Sequence, residues 1–228
     1  MKRLLVVLWV IGTVHALIAQ SDEPKAAPEF HAAEAVSVTE LPLPTLCVTG
    51  WGFVVLNALI SDTGELQKVE VRRNIDCLGS LAVQGVQPWK FAAATLGDKP
   101  VASRLPIVVT FRPPTPASDL VPLPTLTPQS DVAIQAAFQP AELLHAIFPA
   151  YRFRGYSNAA GTVVLEVELN AKGEAGDVKA LREVAPFTDE AKAVVGDWRF
   201  MPATLNGHPV PSKILLAFVT PVPPATNP

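Results

Sequence analysis

The sequence predicts an α+β fold built as two small domains. Each is a short antiparallel β-sheet, ordered β-hairpin, helix, β-strand, with the helix packed on one face. The first observation behind this is an internal repeat. Shifting residues 52–105 by 109 positions, without a gap, brings 18 of 54 residues onto identical partners, including both Trp residues and both turn Gly residues. A match of that length marks a duplication, and two copies are too few for a solenoid. The second is that each copy carries β-branched, alternating runs broken by Gly-containing turns, then one helical apolar pattern, then a last strand. The third is that a helix and a sheet with one apolar face each must cover one another in two layers.

Composition narrows the function classes. The 228 residues are 49% hydrophobic and carry a formal charge of −3, with 23 Pro and two Cys. An acidic balance without any Lys/Arg cluster argues against nucleic acid as a partner, because phosphate binding needs a basic face. There is no Gly-x-Ser-x-Gly, no phosphate loop and no Cys/His constellation. No catalytic residue, cofactor or metal set is therefore expected, and a non-enzyme is read.

In chain order, a basic head (Lys2, Arg3) precedes an apolar run from Leu4 to Ala19, the pattern of a secretory signal peptide over residues 1–19. The rival reading is an uncleaved anchor, although the run is short of the roughly 20 residues that span a bilayer. Residues 20–46 are rich in Pro and Ala and read as an extended tether. The first domain occupies 47–112: a strand over 52–60, the turn Ser61–Gly64, a strand over 68–73, a helix over 77–87 ended by Pro88, and a last strand over 104–111 in which Pro106 implies an edge or strand end. Residues 113–129 are a stiff Pro-rich linker, and Pro122-Leu-Pro-Thr-Leu126 repeats Pro42-Leu-Pro-Thr-Leu46. The second domain, 130–220, opens with an expected helix over 130–147, divided by Pro140. Strands over 161–169 and 177–184 follow, then a helix over 188–197 capped by Thr188, and a final strand over 213–219. Residues 221–228 read as a disordered tail.

The pattern of Gly161-Thr-Val163, the turn at Gly173, Trp198-Arg-Phe-Met-Pro-Ala203, Gly207 and Pro209-Val210 resembles the C-terminal domain of TonB, the periplasmic energy transducer of Gram-negative bacteria. The first copy is similar through Gly52, Gly64, Trp89-Lys-Phe91, Ala94, Pro100 and Val101. The family's aromatic-Pro pair before the first strand stands as Phe148-Pro149. The first copy lacks that entry segment and has Ala93 in place of Pro202. The Ser/His pair of a transducer's anchor is missing, since Ile11 stands four residues before His15.

The resemblance implies a partner and a place. In the family the last strand recruits an extended peptide of an outer-membrane transporter, which is β-augmentation of an open edge. That role falls here on Ile214, Leu215, Leu216, Ala217, Phe218 and Val219. The competing reading is an edge covered by the other domain, the linker or a homodimer mate. Gly52, Gly161, Trp89, Phe91, Trp198, Phe200 and Pro202 are structural motif residues; both Trp residues are read as core rather than a ligand platform. Cys47 and Cys77 read as a disulfide in an exported chain, with two thiols as the alternative. The scattered His residues have no metal spacing. The functional reading is a periplasmic adaptor without a small-molecule cofactor that binds an envelope protein by strand addition. The alternatives are a TonB-type transducer anchored in the inner membrane and facing the periplasm, and an envelope enzyme with an unrecognised site.

Overall fold

The structure, a computed structural model, describes residues 29–44, 51–111, 123–127, 138–149 and 160–220. The elements of the N-terminal half are β1 (Phe30–His31), β2 (Glu34–Ser37), β3 (Gly52–Ile60), β4 (Leu66–Arg73), α1 (Leu78–Val86), β5 (Lys90–Ala92), β6 (Ala94–Leu96), β7 (Lys99–Val101) and β8 (Ser103–Phe111). Those of the C-terminal half are β9 (Phe138–Gln139), β10 (Glu142–His145), β11 (Gly161–Leu169), β12 (Ala175–Arg182), α2 (Phe187–Val195), β13 (Arg199–Met201), β14 (Thr204–Leu205), β15 (His208–Pro209) and β16 (Ser212–Thr220). Most of the described residues form β-sheet around two short helices, an α+β composition.

Where two separate sheets are expected, one six-stranded sheet runs through both halves in the order β12-β11-β16-β8-β3-β4. Within each half the pairing is antiparallel, as the hairpins dictate. The halves meet at a parallel seam between β16 and β8, with Leu215 opposite Ile107 and Val219 opposite Phe111. The seam pairs residues 108 apart, whereas the sequence repeat is 109. Side chains alternate faces along a strand, so this one-residue difference sends equivalent side chains to opposite faces of the sheet. The halves are therefore related by a local twofold running along the strands, and α1 and α2 cover opposite faces. Both faces of the four inner strands are thereby buried. That is why β3 and β8 are buried along their whole length, and why their sequences are nearly unbroken apolar runs.

The covers interlock. Phe53 of β3 stacks on Phe148 at 4.8 Å between ring centroids and meets Trp198 edge-on at 5.6 Å, both from the other half. On the opposite face Thr162, the repeat partner of Phe53, accepts a hydrogen bond from the Leu41 amide at 3.0 Å. Leu41 in turn packs where a side chain at Gly85 of α1 would stand.

Three local expectations are corrected. Residues 29–44, read as tether, form β1 and β2 and bury Phe30, Ala33, Ala35 and Leu41. The first half thus has an entry segment after all: Phe30, Ala33 and Glu34 stand 108 residues before Phe138, Ala141 and Glu142, and Phe30 stacks on Phe138 at 4.4 Å. Of the helix expected over 130–147, residues 130–137 lie outside the described residues and the remainder is β9 and β10. Leu143 is buried beside exposed Leu144, and Pro140 supplies no amide, so a strand-like alternation prevails over the helical spacing. Finally, α2 begins at Phe187. The Thr188 hydroxyl turns back to the amide of Val184 at 2.9 Å instead of capping the helix. The signal run of residues 1–19 and the tail from 221 lie outside the described residues.

Candidate functional site

The strand named as the recruiting edge is not an edge. Ile214–Val219 pair with β11 on one side, Ile214 opposite Val167 and Phe218 opposite Val163. On the other side, residues 215–219 pair with β8. All six side chains are buried. The physical reason is the duplication: β8 is the equivalent strand, with equivalent unpaired groups, and each satisfies the other. The parallel ladder starts at Ile107, the residue after Pro106, so the proline lies beyond the seam.

The aromatic motif residues lie in the core. Trp89 and Trp198 are each 1% exposed. Their indole Nε1–H groups donate to the Thr39 and Ile147 carbonyls at 3.2 and 3.1 Å. Those carbonyls lie just after β2 and β10, so each Trp ties an entry segment to its half. Phe91 and Phe200 are buried on β5 and β13, which pair with β2 and β10 of the entry segments. Pro202 follows β13, and its nitrogen would lie 3.1 Å from a Cβ placed on Gly173. Gly52 and Gly161 open β3 and β11 with φ of 140° and 155°. Cys77 does not stand as a free thiol, and Cys47 lies outside the described residues. His31 and His208 are exposed at strand ends, and the described residues hold no cluster of three His, Cys, Asp or Glu.

The outer edges of the large sheet are β4 and β12. Both hairpins carry a β-bulge at the same repeat position: Arg72 is the extra residue between the pairs Val55–Arg73 and Leu56–Val71, and Leu181 between Val164–Arg182 and Leu165–Ala180. A bulge re-aims main-chain groups away from the ladder. At β4 the chain itself uses them. The Thr127 amide donates to the Arg72 carbonyl at 2.6 Å. The Arg72 guanidinium donates back to the Thr127 carbonyl, and Arg73 Nη1 donates to the Pro124 carbonyl at 2.6 Å. Among the described residues no segment pairs with the outer side of β12. Arg182, the repeat partner of Arg73, reaches Glu40 at 2.8 Å, and its Nε is buried without a hydrogen-bond partner among the described residues. Arg73 and Arg182 are identical in the repeat, so the repeat itself is the sequence signal for this pair. No motif announces their role.

A groove of about 1000 Å³ opens between the halves, lined in part by Phe30, His31, Glu34, His208, Ser212 and Lys213. Its charged centre is already committed. Lys213 lies 2.7 Å from Glu34 and 3.2 Å from Glu166, an almost fully buried carboxylate. The hydrogen bond from Lys213 holds the Glu34 pKa below its ordinary value. Burial alone would lower Lys213, but the bond to Glu34 and the charge of Glu166 outweigh it and raise its pKa. A general base needs a pKa moved towards neutrality; Glu34 is moved away from it.

The sequence motif of the C-terminal half finds a counterpart in one family model. Residues 156–219 match the family described as Gram-negative bacterial TonB protein C-terminal. The match takes in β11, β12, α2 and β13 to β16, nearly the whole of the C-terminal half. The N-terminal half lies outside the matched span and is tied to the TonB C-terminal unit by the internal repeat alone. No curated protein matches the chain.

Proposed function

We propose that this chain is a non-catalytic, exported protein facing the periplasm that binds an envelope protein by strand addition at β12. The observation that carries the reading is the seam. The last strands, which the TonB resemblance marks as recruiters, are spent on each other, so the available main-chain groups lie at the outer edges. At β4 the carbonyl released by the bulge is met by Thr127 and the flanking guanidinium groups by residues 124 and 127, whereas among the described residues the β12 bulge has no such cover. The family match supports an envelope partner, and an outer-membrane transporter is the first candidate. The anchored transducer shares that support; its last strand would have to leave the seam to capture a transporter peptide. No helix among the described residues is long and apolar enough to cross a membrane, and residues 1–28 lie outside them. Pairing of Cys47 with Cys77 belongs to the same reading, as a staple expected of an oxidising compartment.

The test is photo-crosslinking in cells. A photoreactive residue at exposed Lys179 of β12 is expected to capture an envelope protein, whereas one at exposed Lys68 of β4 is not. Equal capture from both sites, or none from residue 179, would overturn the proposal. Amino-terminal sequencing separates the two versions: a start at Leu17 or Gln20 excludes the anchor.

A further inference from the structure

We infer that β12 takes in trans what β4 takes in cis: an extended, uncharged Leu-Pro-Thr-Leu-Thr type of segment, read through its main chain by the bulge at Leu181 and the guanidinium of Arg182. The inference rests on β12 being the partner edge and adds the chemistry of the ligand.

The intramolecular complex at β4 is the template. Residues 123–127 lie there outside any helix or strand, held by three contacts. Its Thr127 amide meets the carbonyl released by the bulge, its Thr127 carbonyl meets Arg72, and its Pro124 carbonyl meets Arg73. No side chain of the segment supplies a hydrogen bond among these contacts, so its sequence acts mainly through conformation. Pro124 fixes φ and holds Leu123 extended, which lowers the ordering cost of binding. Thr127 supplies the one amide that the bulge requires, a demand no proline could meet.

The β12 edge reproduces the receiving half of that arrangement. The bulge recurs at the repeat position, and Arg182 stands where Arg73 stands. Each of the two guanidinium groups has a buried Nε without a hydrogen-bond partner among the described residues, which leaves the outer nitrogens to take a carbonyl as Arg73 Nη1 does. One departure is instructive. Leu181 replaces Arg72, so the donor to the Thr127 carbonyl is lost and an apolar side chain is offered instead. The β12 edge should therefore bind more weakly than β4 holds its own segment. A segment in trans must also do without the tether that gives residues 123–127 a high effective concentration. Reversible capture follows. Glu40 on Arg182 does not block the site, since a guanidinium carries five donors.

The probe is a synthetic peptide of residues 120–129, titrated into the full exported chain and followed by amide chemical shifts. Saturable shifts at Lys179, Leu181 and Arg182 are expected. The same peptide N-methylated at the Thr127 amide should lose binding by about tenfold or more, the size of one well-made hydrogen bond. This second probe leaves the protein untouched, so folding is not in question. Arg182→Ala should weaken the unmodified peptide by about tenfold, a charge-assisted bond to a carbonyl being lost. Shifts confined to residues 71–73 would mean that the peptide only displaces the linker from β4, and would overturn the inference. So would equal binding of the methylated peptide, or no binding up to millimolar concentration. Crosslinking at Lys179 alongside any of these results would keep β12 as the partner edge and reject this ligand chemistry alone.

Discussion

Gly173 holds φ at +79°, and a Cβ there would lie 2.2 Å from the carbonyl oxygen of Phe200. Gly173→Ala is expected to cost about 1–3 kcal/mol, since both the backbone region and the space are denied to it. A lower urea midpoint at unchanged slope would show it. Lys213 sets the second prediction at this scale. Glu34 has a depressed folded pKa, so its contribution is present above its ordinary value of 4.5 and is lost as pH falls through the depressed value. Lys213 has a raised folded pKa, so its contribution is complete below 10.5 and is lost as pH rises through the raised value. Stability should therefore fall off at both ends. Lys213→Met should flatten both limbs and cost about 3–5 kcal/mol at neutral pH, because Glu166 would be left buried without its cation. An unchanged pH profile in chemical denaturation would contradict the linkage. At this scale the sequence was partly legible. The Trp, Phe and turn Gly residues declare themselves by recurring at one spacing. The acceptors of the two indoles do not, because Thr39 and Ile147 act through carbonyls that any residue could supply.

As an element, β16 has a ladder on each side, and this changes what a proline in it would do. Leu216→Pro removes an amide and breaks a central strand, so it should cost about 3 kcal/mol or more and abolish the cooperative transition. A folded variant that had merely lost its partner would indicate an open edge. Strands over 52–60, 161–169 and 213–219 were readable because β-branched runs and turns are local signals. The seam was not, because hydropathy reports that a strand is buried on both faces but never which strand lies beside it. The entry segments failed for a related reason. Two- and four-residue strands are too short to show a period, and their signal is the recurrence of Phe, Ala and Glu at 108 rather than 109. A gapless comparison at one spacing passes over it. At 138–145 the choice lay between two periods over eight residues. Burial of Phe138, Ala141 and Leu143, with Phe138 stacked on Phe30 of the other half and Leu143 paired with Phe200, decided it, a tertiary fact.

The whole molecule should unfold as one unit. The shared sheet, Phe53 under Trp198, and Leu41 on Thr162 join the buried residues of both halves in one core. Far-UV dichroism and tryptophan fluorescence are expected to report one coincident transition in urea. Two resolved transitions would restore independent domains. The run of matching residues at a spacing of 109 was plain in the sequence, and so was the α+β composition. The joining of the copies was hidden, since a tandem repeat is equally compatible with beads on a string and with a fused pair.

The bulges at Arg72 and Leu181 carry a consequence for valency. A symmetric pair of binding edges would make each chain divalent and able to cross-link partners into networks, with avidity set by their spacing. Here one bulge is covered by residues 124–127, and among the described residues the other is not. Internal symmetry is thus broken by a few linker residues, and on the proposed reading each chain would present one socket to one guest.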